Sequence, residues 1–336
     1  MKKFFIQQHL QTKYPAHGGI GNKDVEKVLL KNGFIPLLFP HQKDFSLYAK
    51  AKRFLFLVQI LVKIPTGSIL LFESPLYAKL YMILVKWILL YKPSVRMICF
   101  ITDINGLKDD NQTLLENEKI FFKKLKYFIV HNNRMKTWLL SFHNNAHISC
   151  IEFFDFLTSS SANFPKKANE VTFAGNLFKS RFINELDIIE GIQFHIYGKL
   201  DRTIKVPAKA EYYGIVEPYS LPNQIKGSYG LVWDGDSVER STGTFGNYLH
   251  YISPHKLSLY IISGLPLIAH STSASAELIK KYKIGLLTNS LKELHNLLNK
   301  VTDEEYNDMQ RNCKELTLNI SSGTCLTKAI AELEIL

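Results

Sequence analysis

Short apolar runs, each followed by a turn of glycine or small polar residues and then by a helix-patterned stretch, recur along the whole chain. In the first half, 3–8, 34–39, 68–72, 95–101 and 127–130 read as strands. In the second, 170–174, 194–197, 210–213, 229–233, 265–269 and 284–287 do so. Strands this apolar, alternating with helices, are buried on both faces, which is the habit of a parallel sheet covered by helices. A chain of 336 residues exceeds what one core comfortably holds, so two such units are expected. The stretch 156–168 is small, polar and proline-containing, the make-up of a linker. The expectation is α/β: two doubly wound halves facing each other, 1–158 and 168–318, with 319–336 a terminal helix that can cross back to the first. Helices are expected over 23–32, 44–63 and 76–91, from about Arg181, near 220–225 and over 276–282, with two amphipathic helices at the C-terminus.

The stretch 253–268 is the most informative single segment. Ser253 can cap a helix whose first position is Pro254, where the missing N–H costs nothing. Gly264 supplies the stop, Pro266 blocks continuation, and 265–269 reads as a buried strand. A helix start offers free N–H groups to a phosphate, and Lys256 in the first turn could add a full charge. An ordinary core helix followed by a strand has the same spacing.

In open α/β sheets ligands gather outside the carboxyl ends of the strands. Asp103 ends one strand and His131 another, and each could instead be a capping or turn residue. The loop 15–22 contains His17, Gly18, Gly19 and Gly21 and lets a ligand approach the backbone. It matches neither the dinucleotide fingerprint nor a Walker loop.

Charge is uneven. Residues 1–150 carry a net +13 and residues 151–336 a net −2. A basic half suits an anionic partner such as a phospholipid surface or a polyprenyl diphosphate. Nucleic acid is disfavoured, because no basic run has interleaved aromatics. The apolar segment 76–91 is interrupted by Lys79 and Lys86 and is too short to span a bilayer, so it reads as an amphipathic helix. Cys99, Cys150, Cys313 and Cys325 form no paired motif, which suits reduced thiols in a cytoplasmic protein.

Taken together, these pieces resemble glycosyltransferases of the GT-B fold. More narrowly, they look like a bacterial branch holding β-1,6-galactofuranosyltransferases and the accessory glucosyltransferases of serine-rich adhesins. The resemblance is carried by Gly230-Leu231-Val232-Trp233-Asp234-Gly235-Asp236-Ser237, Gly246-x-Tyr248-Leu249, Pro254-His255-Lys256-Leu257 and Gly264-Leu265-Pro266-Leu267-Ile268. Phe173-Ala174-Gly175-Asn176-Leu177-x-Lys179-Ser180, Tyr197-Gly198, Ile129-Val130-His131-Asn132-x-Arg134-Met135 and Asn22-x-Asp24-Val25-Glu26-Lys27 extend it over about 17–335.

The resemblance implies a nucleotide-sugar bound mainly by the second half and an acceptor held by the first. The donor set it implies is Gly18, Gly19, Gly175, Asn176, Lys179, Tyr197, Asp234, Gly235, Ser253, Pro254, His255, Lys256 and Glu277. In it Lys256 meets the diphosphate, Tyr197 and Gly198 line the base pocket, and Glu277 meets the ribose. Glu277 could equally serve as a first-turn charge on its helix. Asp103 is the candidate base, with His17 the second candidate; the branch often has His where this chain has Thr102. Asp234-Gly235-Asp236 spells D-x-D, but two carboxylates are a poor magnesium cage without substrate phosphates, so no metal and no cofactor beyond the UDP-sugar substrate are expected.

The implied activity is inverting, metal-independent transfer of a hexose, best matched by galactofuranose, to a glycan on a lipid-diphosphate carrier. That would place the protein in the cytoplasm, in peripheral contact with the inner membrane face. UDP-glucose transfer to a glycosylated protein and a non-catalytic partner of another transferase are the alternatives. Oligomeric state, including a homo-oligomer, is left open.

Overall fold

The computed structural model describes residues 1–9, 19–38, 46–158 and 164–335. Within them lie two six-stranded sheets whose pairings are all parallel. The first contains β1 (Lys3–Ile6), β2 (Ile35–Leu37), β3 (Ile69–Ser74), β4 (Arg96–Ile101), β5 (Tyr127–Val130) and β6 (His147–Cys150), in the order β2-β1-β3-β4-β5-β6. The second contains β7 (Glu170–Ala174), β8 (Gln193–Tyr197), β9 (Glu211–Gly214), β10 (Tyr229–Val232), β11 (Leu267–His270) and β12 (Gly285–Thr288), in the order β12-β11-β10-β7-β8-β9. This is the expected pair of doubly wound sheets. The second reverses its winding between β7 and β10, and such a reversal opens a crevice at the strands' carboxyl ends.

Alternation along β3 shows how one strand serves two layers. Leu70 and Phe72 pack with Leu57 and Ile60 of the helix Leu47–Lys63 and with Leu84 and Ile88 of the helix Lys79–Tyr91. Ile69 and Leu71 point to the other face, with Val25 and Leu29 of the helix Ile20–Lys31. That second face is completed by Leu326, Ala329, Ile330 and Leu333 of the last helix, Thr324–Glu334. The last helix departs from the long helix Asp303–Ser322 at Gly323, whose φ is +89°. Only glycine adopts that conformation without strain.

Several local expectations change. β6 was not anticipated: its four residues are half polar and pair only with β5 at the sheet edge, where one-sided burial leaves no continuous apolar run. The helix expected from Arg181 is a 3-10 segment, Arg181–Ile188, whose Phe182 N–H is taken by the Gly235 carbonyl. The segment expected near 220–225 is likewise a short 3-10 turn, Leu221–Asn223. The helix expected from Pro254 begins at Lys256, and no side chain caps it. Ser253 is instead buried and accepts from the Asn132 side-chain amide across the halves at 2.9 Å. Phe156, at the start of the expected linker, is buried in the second half's core.

Candidate active site between the halves

A cleft of about 460 Å³ lies between the sheets and draws its lining from both halves. From the second half come the strand ends at the winding reversal. After β7, Ala174, Gly175 and Asn176 reach it; after β10, Asp234; after β8, Tyr197 and Gly198; then Ser253, Pro254, His255 and Lys256. From the first half come Gly21 and Asn22, Tyr77, Thr102 and Asp103, Lys108 and His131.

Lys256 is fixed on three sides. Its ammonium donates to the Trp233 carbonyl at 3.1 Å and to Asp234 Oδ1 at 3.0 Å, and lies 4.4 Å from the centre of the Phe173 ring. Asp234 is fixed in turn by the Ser180 hydroxyl at 3.2 Å. A Cβ at Gly175 would lie 3.8 Å from this ammonium, so the bare backbone there keeps the approach to the charge open. Gly198 has a φ of +142°, and a Cβ on it would sit 2.1 Å from the Gly175 carbonyl oxygen, so neighbouring strand ends can close up only through glycine.

Lys179 is a second cation at the cleft. Burial and the charges of Lys108 and Lys256 hold its proton affinity below the ordinary lysine value, while Asp103 and Asp234 act the other way. Three lysines and two aspartates thus converge from both halves. Cations gathered in a partly closed site are the arrangement that binds a diphosphate and stabilises it as a leaving group.

Across the cleft, Asp103 follows β4. Its Oδ1 accepts from the Tyr248 hydroxyl at 3.0 Å and its Oδ2 from Lys108 at 2.7 Å. The Tyr248 oxygen itself accepts the Ile104 N–H at 2.8 Å. Tyr248 belongs to the second half but is buried in the first half's core, so Asp103 is oriented by both. Burial pulls Lys108 down, but the Asp103 charge and hydrogen bond outweigh it, and Lys108 ends above its ordinary value. The two side chains thus form a salt bridge across 2.7 Å.

Two histidines line the cleft in neutral form. Burial lowers His131 to about 4, and its Nδ1 accepts the Ser253 N–H at 3.3 Å. Burial also lowers His255, which stacks on Phe156 with ring centres 4.8 Å apart. A Cβ at Gly21 would lie only 2.9 Å from the His255 ring, so the helix Ile20–Lys31 can dock there only as glycine.

Of the residues singled out in the sequence, Asp103, Gly175, Asn176, Lys179, Tyr197, Gly198, Asp234, Ser253, Pro254, His255 and Lys256 all come to this cleft. His17 and Gly18 lie outside the described residues. Three others are placed elsewhere. Gly19 precedes the helix Ile20–Lys31 and is not part of the lining. Gly235 serves the loop's own geometry: its φ is +108° and a Cβ would strike the Thr242 carbonyl at 2.1 Å. Glu277 pairs with Arg134 at 2.6 Å beside a separate, smaller concavity with Asn133, Glu152 and Lys281, a tie between the halves that is not part of the cleft lining. The D-x-D pair separates too, with Asp234 in the cleft and Asp236 exposed against Gly243.

Lys108 and Tyr248 went unassigned in the sequence. Tyr248 stood within a family motif without a role, and Lys108 needed the short helix Asn105–Lys108 to bring it back to Asp103. Among the described residues, one cluster is of metal-binding type: His9, Glu26 and Glu73, with donor atoms within 4.8 Å of one another. It lies behind the cleft wall, where His9 contacts Asn22 and Tyr77. Burial and the Glu26 charge raise Glu73 well above the usual carboxylate range, while burial and the Lys23 charge lower His9 to about 4.

Comparison with known proteins agrees with the two-sheet fold. Two family models match, described as the N-terminal and C-terminal domains of glucosyltransferase 3-like proteins, over residues 3–152 and 171–333. The β-1,6-galactofuranosyltransferase WbbI of Escherichia coli K12 is 29% identical over 270 residues, 79% of this chain and 78% of that one. Glucosyltransferase 3 of Streptococcus gordonii is 25% identical over 323 residues, 93% of this chain and 92% of that one. Among solved structures, Anabaena HepE in complex with UDP and glucose superposes with a TM-score of 0.65 at 12% identity, covering 100% of this chain and 99% of that one. WaaG, a glycosyltransferase of lipopolysaccharide biosynthesis, does so with a TM-score of 0.53 at 10% identity, covering 97% and 98%.

Proposed function

Since the chain belongs to the glucosyltransferase 3-like family of GT-B glycosyltransferases, we propose that it transfers galactofuranose from UDP-galactofuranose to a glycan on a lipid-diphosphate carrier. The observation that carries the reading is Lys256, held by Asp234 at the winding reversal and lining the same cleft as Asp103. The galactofuranosyl choice is supported by the likeness to WbbI over most of both chains. The acceptor choice is supported by the basic first half, which suits an anionic carrier at the inner membrane face.

In this proposal the diphosphate lies against Lys256 and Lys179, with the Gly175 backbone close beside it and the base toward Tyr197 and Gly198. Asp103 takes the proton of the acceptor hydroxyl as that oxygen bonds to the anomeric carbon. The bond from that carbon to the diphosphate oxygen breaks, and its electron pair leaves with UDP. Attack from the Asp103 side, opposite Lys256, inverts the anomeric centre. A carboxylate offers about four lone-pair sites, so Tyr248 and Lys108 orient Asp103 and still leave it able to accept a proton. The lysines supply the positive charge that the departing diphosphate requires, so the proposed reaction is metal-independent.

The wide coverage of Streptococcus gordonii glucosyltransferase 3 favours a second reading, UDP-glucose transfer to a glycosylated protein. Competing turnover of UDP-galactofuranose and UDP-glucose, each with lipid-linked and protein-linked glycan acceptors, separates the two. Preferential use of the furanose donor with the lipid-linked acceptor is the expected result. Selective glucose transfer to protein would replace it with the second reading.

A further inference from the structure

The helices Leu47–Lys63 and Lys79–Tyr91 turn an unusual surface outward. The first buries Arg53, Leu57 and Ile60 against the domain and leaves Leu47, Tyr48, Leu55, Val58 and Val62 exposed. Leu47, Ala51, Leu55, Val58 and Val62 follow one another at intervals of three or four residues, so they form one outward stripe along the helix. Leu55 is 60% exposed and Val62 73%. The second helix lies alongside, with Phe54 edge-on to Trp87 at 5.7 Å, and adds exposed Ile83, Leu90 and Tyr91. A continuous apolar face of this kind on a folded domain marks an interaction site.

Its charge identifies the partner. Lys50, Lys52, Lys63, Lys79 and Lys86 are all exposed on these two helices. From Ser46 to Lys92 the sole acidic residue is Glu73, and it is buried. Apolar side chains rimmed by lysines, with no opposing acid, match an anionic bilayer, which takes the apolar stripe below its headgroups and the lysines at their level. No helix among the described residues is long and apolar enough to cross a membrane, so the contact lies along the surface. Tyr77, just before the second helix, lines the cleft, which sets its acceptor wall beside this face.

We propose that the paired outer faces of Leu47–Lys63 and Lys79–Tyr91 dock the protein on an anionic lipid surface, bringing the Asp103 side of the cleft to the headgroup layer. This deepens the lipid-carrier reading of the acceptor and rests on it. The test uses the full chain and sedimentation with vesicles of phosphatidylcholine, with and without phosphatidylglycerol. The protein should sediment with the anionic vesicles, not the neutral ones, and less so as salt rises. A Leu55→Asp, Val62→Asp double variant, changed at exposed positions, should lose at least about tenfold in partitioning. UDP binding, followed in the same samples, should be unaffected by the double variant. Equal sedimentation of variant and parent would overturn the proposal. So would a dimer that the double variant dissolves, in a protein that binds no vesicles, because the face would then belong to a second copy. Absence of UDP binding by the parent would instead count against the transferase reading, which keeps the two failures apart.

Discussion

Lys256 meets a carbonyl, a carboxylate and an aromatic face before any ligand arrives, so its charge is positioned in advance of the chemistry. Asp103 is prepared in the same way by Tyr248 and Lys108. Asp103→Asn preserves shape while removing the proposed base. Transfer should fall by roughly 100- to 10,000-fold with UDP affinity little changed, measured by turnover beside calorimetry. Normal turnover would remove Asp103 from the reaction. His131 adds a pH dependence. Burial lowers its pKa to about 4 from 6.5, so the unfolded chain binds a proton that the folded one refuses. The stability tied to the neutral ring is complete above the unfolded value and declines as pH falls from there to about 4, by about 3 kcal/mol in all. Asp155, raised by burial to about 6, works in the opposite sense, because its cost in the folded state fades as pH falls. Comparison with a His131→Gln variant isolates the ring. The parent's advantage should shrink between neutral pH and about pH 4 in urea unfolding, and a constant difference would show that the ring is not held neutral.

At the level of elements, the site is made where strands end. β7, β8 and β10 deliver Gly175, Gly198 and Asp234 because the second sheet reverses its winding between β7 and β10. Gly198 is the tightest of these junctions. Gly198→Ala should cost on the order of 1–3 kcal/mol, since both its φ and the Gly175 carbonyl forbid a Cβ. It should also weaken UDP binding by displacing Gly175. Thermal unfolding with and without UDP checks both effects, and an unchanged Tm and affinity would contradict the close approach. Strands such as β4 and β5 were legible in the sequence because burial on both faces makes them almost continuously apolar. β6 was not, because it is a half-polar edge. Most of the second half's cleft residues were legible from their motifs. Ser253 was misread as a cap, and the tie that Glu277 makes was not foreseen, because their partners Asn132 and Arg134 come from the other half. A partner more than a hundred residues away leaves no local signal.

For the molecule as a whole, the two halves are bound by more than their linker. Tyr248 enters the first half's core, Arg134 pairs with Glu277, and the last helix returns across Gly323 to complete the first half's second face. The cleft is therefore defined by contacts on both sides of it, and its cations come from both halves. In the proposed reading, the basic first half and its lysine-rimmed helix face bring the acceptor to the cleft from a different side than the donor. The central claim is that this cleft holds a UDP-sugar through Lys256. Calorimetric titration of the parent protein and of Lys256→Ala with UDP tests it most directly. A charge-assisted contact of this kind is worth about 1.5–3 kcal/mol, so the account predicts saturable binding that the substitution weakens roughly 10- to 150-fold. No binding by the parent, or equal binding by both proteins, would contradict it.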